Sequence, residues 1–139
     1  MSRLVALALA LTFATGALSA CGGVVAADLF IVERSSSSGH GTLTVLVNEE
    51  GVVHCNRGLA HTISDPELIE ARTIQEELHN AATKHLSLPA RPGSVYGYRV
   101  RDGEGSVSLA DNSTGGPAVL RHLQLFTLRV AQQVCHVAS

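Results

Sequence analysis

The sequence predicts an α+β fold, in which an antiparallel sheet of about five strands carries two helices, in the order βββαββα. Short segments with strand patterning fall into two groups, and each group precedes a longer segment with apolar residues at helical spacing. In addition, Cys55 follows the first strand group and Cys135 lies near the end of the last helical segment. One disulfide within a single domain is therefore expected.

The residues before this domain have the order of a secretory signal peptide. Arg3 supplies a positive charge, an apolar run extends from Leu4 to Ala17, and small residues precede Cys21. The sequence Leu18-Ser19-Ala20-Cys21 resembles a bacterial lipobox. This resemblance implies that Cys21 is lipidated on its sulfur, becomes the mature N-terminus and anchors the chain on the extracytoplasmic face of the cell membrane.

Two alternatives for this segment stay open: an uncleaved membrane anchor, and secretion with cleavage near Ala20 that leaves Cys21 as a free thiol. A bilayer span needs about 20 apolar residues, and the run at residues 4–17 is shorter. We therefore divide the chain into a signal peptide at residues 1–20, a tether at residues 21–27 and a domain at residues 28–139. Residues 22–27 reach about 20 Å when extended, so the domain is expected close to the membrane.

Composition limits the function of the mature chain. Of the 139 residues, 119 remain after residue 20, which suits one compact domain. They include 9 basic and 12 acidic residues, so nothing indicates the basic face that nucleic acid requires.

The two remaining cysteines, Cys55 and Cys135, form an even number in an exported chain, where a disulfide is the expected state. Closing a loop of about 80 residues stabilises the fold by at most about 4–5 kcal/mol. The alternative is a two-cysteine metal or redox site, but neither cysteine belongs to a Cys-x-x-Cys pair.

Residues 28–34 are expected to form the first strand, with Leu29 and Ile31 on the opposite pleat face from Phe30 and Val32. Such a strand is either central and buried on both faces, or it leaves one apolar pair outward. The polar segment that follows, Ser35 to Gly41, is expected to be a mobile loop.

Residues 42–55 and 96–109 each have the pattern of a β-hairpin, with turns at residues 49–51 and 102–105. In the first hairpin, Cys55 is expected on the core-facing side. In the second, Arg99 and Arg101 share a pleat face and are expected to stand beside Ser106 and Ser108.

Two helices are expected to pack on the sheet. Ser64 and Glu67 fit a capping box with Pro66 in the first turn, and Pro117 opens the second helix. The apolar stripe of the first helix consists of Ala71, Ile74, Leu78, Ala81 and His85, and that of the second consists of Val119, Leu123, Phe126, Val130, Val134 and Val137.

The segment at residues 28–34, the pair Cys55-Asn56 after a hairpin and the late Cys135 together resemble small lipoproteins of high-GC Gram-positive bacteria. The resemblance covers most of the chain after the signal peptide. It implies a location at the cell envelope, and it transfers no activity and no catalytic residue.

No catalytic residue, metal site or cofactor is expected from the motifs. The seven histidines lack the His-Glu-x-x-His spacing of zinc enzymes. Glu76 and His79 have the spacing of half a di-iron site, and the chain has no second copy of that motif. Ser94 is one position away from the place of serine in a Gly-x-Ser-x-Gly elbow. His54 lies beside Cys55, but a thiol held in a disulfide is not a nucleophile.

Two features are candidates for contact with a ligand or partner. Arg99 and Arg101 present guanidiniums that can fork onto a carboxylate, although a solvated outer face is the simpler interpretation. Leu29 and Ile31 are candidates for an apolar contact surface. We therefore expect a non-enzymatic lipoprotein that is bound to the membrane through its anchor and recognises a protein partner, a second copy of itself or an envelope ligand. A small envelope hydrolase and a protease inhibitor that presents Ser35 to Gly41 are the alternatives.

Overall fold

The computed structural model describes residues 26–137 and confirms the α+β class, with an antiparallel sheet, two helices and one disulfide. The expected signal peptide, Cys21 and most of the tether lie outside these residues. In chain order the elements are β1 (Asp28–Ser36), β2 (Leu43–Asn48), β3 (Val52–Cys55), β4 (Ala60–Thr62), α1 (Asp65–Thr83), β5 (Tyr96–Arg101), β6 (Ser106–Ala110) and α2 (Ala118–Gln133).

Within the described part of the chain, the sheet has six strands in the order β4-β3-β2-β1-β5-β6, and all neighbouring pairs are antiparallel. The expectation of about five strands in the order βββαββα is wrong by one strand. β4 pairs with β3, with His61 opposite Val53, but its three residues are too few to display an alternating pattern. The observed order is ββββαββα.

Both helices cover the same face of the sheet, and the core lies between the two layers. Phe30 and Val32 of β1 are buried there, and Phe30 meets Phe126 of α2 edge to face, with ring centroids 6.0 Å apart. The expected helix stripes supply the other half of the core: Ala71, Ile74, Leu78 and Ala81 from α1, and Val119, Leu123, Phe126 and Val130 from α2. The opposite face of the sheet has no helix of residues 26–137 on it.

β1 departs from regular alternation at its second residue. Asp28 lies opposite Asn48 and Phe30 lies opposite Val47, so one extra residue of β1 stands between neighbouring residues of β2. This arrangement is a β-bulge. It leaves Leu29 only 4% exposed, whereas Ile31 keeps partial exposure. The simple alternation expected from the sequence is therefore wrong at Leu29.

α1 begins as the sequence predicts and ends earlier. The backbone N–H and the hydroxyl of Ser64 both donate to the carboxylate of Glu67, at 2.8 and 2.7 Å. The helix ends at Thr83, and His85 follows it as an exposed residue with a φ of 50°. The assignment of His85 to the apolar stripe is therefore wrong.

The segment after α1 covers the outer edge of β6. The N–H of Leu88 donates to the carbonyl of Ser108 at 2.8 Å, and the N–H of Ser108 donates to the carbonyl of Leu86 at 2.9 Å. These bonds satisfy backbone groups that an edge strand would otherwise expose. The early end of α1 is what allows the chain to reach this edge.

The disulfide between Cys55 and Cys135 is present as predicted, with Cα atoms 5.7 Å apart. Cys55 lies opposite Val45 in the β2–β3 ladder and shares the helix-facing side with Val53. Cys135 follows α2, where its N–H donates to the carbonyl of Val130 at 2.9 Å. The bond therefore joins the end of α2 to β3.

Candidate functional site

The side of the sheet opposite the helices is the candidate site, and we call it the open face. One row of its residues crosses five strands in register. Ile31 of β1 lies between Leu46 of β2 and Arg101 of β5, and the row continues to His54 of β3 and Ser106 of β6. The expected partnership of Arg101 with Ser106 is thus observed.

A second row lies one pleat further along. Glu33 of β1 stands between Thr44 of β2 and Arg99 of β5, and Arg99 stands opposite Ser108 of β6. Arg99 and Arg101 are both exposed on the open face, as the alternation of this hairpin predicts.

Shallow depressions lie side by side on this face, and two of them share Ile31 and Arg101 as lining residues. The central one has a volume of about 380 Å³, and its aliphatic residues are Ile31 and Leu46, each half-buried. The polar residues that line it are Glu33, Thr44, His54, Arg57 and Arg101. The second depression, of about 460 Å³, has both cations and carboxylates in its lining. Its lining residues are Asp28, Phe30, Ile31, Arg99, Arg101, Asp102, Gly103, Gly105 and Ser106.

The guanidiniums of the open face differ in their partners. Arg101 donates from Nη2 to Oε1 of Glu33 at 2.8 Å, and both side chains are more than 40% exposed. For Arg57 and Arg99, no side-chain hydrogen bond or ion pair is found among residues 26–137. An exposed ion pair contributes little to stability, so all three guanidiniums are accessible to an external anion.

Arg57 lies at the edge of the central depression and belongs to a tight turn. Asn56 and Arg57 have φ values of 52° and 61°, and the N–H of Gly58 closes the turn on the carbonyl of Cys55 at 2.8 Å. The Asn56 side chain accepts the N–H of Thr44 at 2.8 Å, and the Asn56 N–H donates to the Thr44 carbonyl at 2.8 Å. Asn tolerates this left-handed conformation better than most residues.

The orientation of His54 follows from its neighbour. Nδ1 of His54 lies 3.1 Å from the carbonyl oxygen of Gly58, which only accepts hydrogen bonds, so the proton resides on Nδ1. Nε2 of the neutral ring is then an acceptor.

The structure places the predicted contact residues in two different environments. Arg99, Arg101 and Ile31 lie together on the open face, whereas Leu29 is in the core at the bulge. Sequence reasoning missed Leu46 as the aliphatic neighbour of Ile31. The alternation of residues 42–48 does place Leu46 on the outward side, but only the strand order brings it beside Ile31.

A buried arginine was not expected. Arg34 is 2% exposed on the helix-facing side of β1, and its Nε donates to the carbonyl of Gly41 at 2.7 Å. Its guanidinium carbon lies 4.8 Å from the centroid of the Tyr96 ring, a cation–π contact. Burial also raises the pKa of the neighbouring Tyr98.

Arg34 donates a hydrogen bond to Gly41, at one end of the serine-rich loop. This loop is shorter than the expected segment from Ser35 to Gly41. Ser35 and Ser36 belong to β1, and the N–H of Gly39 donates to the carbonyl of Ser36 at 3.1 Å. The hydroxyls of Ser36 and Ser38 lie 2.9 Å apart. Hydrogen bonds therefore lie at both ends of this segment.

A second polar cluster, in the helix layer, links α1 to α2. One carboxylate oxygen of Glu70 lies 2.8 Å from Nε2 of His122, and the other accepts from Arg129. Arg129 first, then His122, hold the pKa of Glu70 below its usual value against the opposing effect of burial. None of these described partners is a hydroxyl or thiol nucleophile, so the cluster has the composition of a structural ion pair.

The candidate metal-ligand pair, Glu76 and His79, does not belong to a larger group of metal ligands among the described residues. Glu76 and His79 are both exposed on α1, beside a depression that also includes Leu29 and Arg72. Among residues 26–137, no group of three or more His, Cys, Asp or Glu side chains is close enough to hold a metal ion.

Comparison of this chain with protein-family models, curated proteins and solved structures gave no match. Within residues 26–137, neither helix combines the length and apolar character needed to cross a bilayer. The candidate function therefore depends on the open face and on the sequence of the N-terminal segment.

Proposed function

We propose that this chain is a lipid-anchored envelope protein whose domain is a non-enzymatic binding module, with the open face as its contact surface. One observation carries the binding function. Two helices cover one side of the sheet, while the central depression on the other side has an aliphatic floor, Ile31 and Leu46, with arginine side chains at its edge. The location is supported by the lipobox resemblance of Leu18-Ser19-Ala20-Cys21.

The aliphatic floor supplies the apolar part of the contact. Ile31 and Leu46 stand side by side and are only half-buried. Removing the rest of their surface from water is favourable by about 25 cal/mol per Å². A partner that covers both side chains gains this term, while the surrounding polar residues determine which partner fits.

The surroundings of His54 and His122 favour binding over hydrolysis. The His–carboxylate pair His122 and Glu70 has Arg129 as its third member, whereas a hydrolytic triad requires a nucleophile within hydrogen-bond reach of the base. On the open face, His54 faces a carbonyl through Nδ1, which is a positioning contact.

The proposal is tested by photo-crosslinking in the native membrane. A benzophenone amino acid replaces Leu46 on the open face or, as the control, Leu125, which is 50% exposed on α2. We expect a discrete adduct from position 46 that disappears when Ile31→Asp is added. Equal adducts from both positions, or no adduct from position 46, would reject the open face as the contact surface.

A further inference from the structure

We propose that the open face binds an extended protein segment in which aliphatic residues are flanked by carboxylates. This inference rests on the proposed binding function and adds the chemistry of the partner. It is carried by the order of the residues along the row that contains Ile31, which we call the central row, and by the charge of the side chains around that row.

The row from His54 to Arg101 gives the length of the segment. It crosses β3, β2, β1 and β5, so three inter-strand spacings separate its ends, about 14 Å in total. An extended chain covers this distance with about four residues. Leu46 and Ile31 lie in the middle of the row, and Arg57 joins His54 at one end. A segment with two or three aliphatic residues between two acidic ones therefore matches the row.

The charge of the central depression selects carboxylates. Among the described residues that line it, Arg57 and Arg101 are the arginines and Glu33 is the one carboxylate. Arg99 lies beside Glu33 on the next strand. Hydrogen bonds from a guanidinium to a carboxylate are stronger and more directional than bonds between neutral groups. A segment with basic residues at the same positions would instead face the guanidiniums of Arg57 and Arg101.

Glu33 occupies the place that a carboxylate of the partner would take. Its Oε1 accepts Nη2 of Arg101 at 2.8 Å in a solvent-exposed pair. An incoming carboxylate competes with Glu33 for this guanidinium, so Glu33 weakens binding of an acidic segment. Replacing Glu33 by glutamine removes the competitor and leaves the shape of the depression almost unchanged.

An anionic membrane surface is a poorer occupant because the end of the sheet nearest the tether is acidic. The tether leads into β1 at Asp28, which lies opposite Asn48, and the β2–β3 turn beside it contains Glu49 and Glu50. The β5–β6 turn, with Glu104, lies at the same end because Arg101 is opposite Ile31. These carboxylates repel anionic headgroups.

A second copy is also disfavoured as the occupant. A two-fold interface brings the same surface of both chains together. Two open faces would therefore bring Arg57, Arg99 and Arg101 of each chain into one contact. Among the described residues that line the central depression, Glu33 is the only carboxylate on each side. A separate acidic segment fits the charges better.

The test is fluorescence anisotropy with the mature protein in a zwitterionic detergent. The probe is a labelled heptapeptide with two glutamates around three aliphatic residues, and its control has glutamines in place of the glutamates. We expect the glutamate peptide to bind more tightly, with Arg101→Gln weakening it about five- to tenfold. Glu33→Gln should tighten it about two- to fivefold. Arg121→Gln, the same charge change on α2, should have no effect.

Three results would overturn the inference. The first is equal affinity for the glutamate and glutamine peptides, or a Glu33→Gln variant that binds no more tightly than wild type. The second is binding to anionic vesicles but not to the peptide. The third is concentration-dependent dimerisation in analytical ultracentrifugation that Ile31→Asp abolishes. Circular dichroism of each variant verifies that the domain remains folded.

The failure of this inference is distinguishable from the failure of the proposed function. If the crosslinker at position 46 captures a partner but the peptides do not discriminate, the acidic segment is rejected and the open face remains a contact surface. If position 46 gives no adduct and no peptide binds, both proposals are rejected.

Discussion

Cys55 and Cys135 are bonded across a sequence separation of 80 residues, and this bond joins the last strand residue before the Arg57 turn to the end of α2. The turn that positions Arg57 starts at Cys55, whose carbonyl accepts the N–H of Gly58. The disulfide therefore fixes one rim of the open face to the helix layer on the opposite side of the sheet.

Breaking this bond should destabilise the domain. We expect Cys135→Ser to lower the free energy of unfolding by about 2–5 kcal/mol, because the unfolded chain regains the freedom of a long loop. Urea denaturation measures the difference, and the reduced wild-type protein should match the variant. Mass spectrometry of the unreduced exported protein that finds two free thiols would overturn the assignment.

The features that local sequence determines were predicted correctly. Ser64 and Glu67 mark the start of α1 because a capping box involves only neighbouring residues. Both hairpins follow from alternation over a few positions. The disulfide follows from an even number of exported cysteines, with Cys55 on a core-facing position of β3.

The features that depend on tertiary pairing were not predicted. Leu29 is buried because of a bulge that exists only in the pairing of β1 with β2. Arg34 is buried because Gly41 and Tyr96 converge on its guanidinium, although arginine is almost always exposed. The central depression requires β1 to lie between β2 and β5, and no local pattern shows that order.

Removal of the lipid acceptor should release the protein from the membrane. Because Leu18-Ser19-Ala20-Cys21 resembles a lipobox, we expect Cys21→Ser to abolish incorporation of labelled fatty acid and to mislocalise the chain. Fractionation and metabolic labelling measure both effects, with Cys135→Ser as a cysteine control that keeps the label. Full membrane retention together with an unlabelled wild-type protein would reject the anchor.

The Glu70 carboxylate should contribute stability that acid removes. Its pKa is lowered from 4.5 in the folded state by Arg129 and His122, so its contribution is complete above about pH 4.5 and is lost as the pH falls through the lower folded value. We expect Glu70→Gln to cost about 0.5–1 kcal/mol at pH 7 and progressively less towards pH 3. Urea denaturation across this range, with Glu77→Gln as the exposed control on α1, measures it. A cost that does not change with pH would contradict this account.

Arg34 should be required for the position of the serine-rich loop. Arg34→Lys keeps the charge but loses the Nε–H bond to Gly41 and the flat contact with Tyr96. We expect a loss of about 1–3 kcal/mol in unfolding free energy, since the carbonyl of Gly41 loses its donor. Hydrogen exchange of residues 37–42 should become faster than in wild type. Unchanged exchange and unchanged stability would show that Arg34 does not fasten the loop.

Aspartate substitutions at Leu29 and Ile31 should have opposite consequences, although the two residues are only two positions apart. Leu29 is 4% exposed, so Leu29→Asp places an unpaired carboxylate in the core and is expected to cost at least about 3 kcal/mol or to unfold the domain. Ile31 is half-buried on the open face, so Ile31→Asp should leave the domain folded. There the new carboxylate removes half of the aliphatic floor and repels an acidic segment, so adduct formation from position 46 should be lost.

Thermal denaturation and crosslinking measure the two effects, and Leu125→Asp on α2 should change neither. If Ile31→Asp unfolds the protein as Leu29→Asp does, β1 is packed on both faces and the open face is not available to a partner.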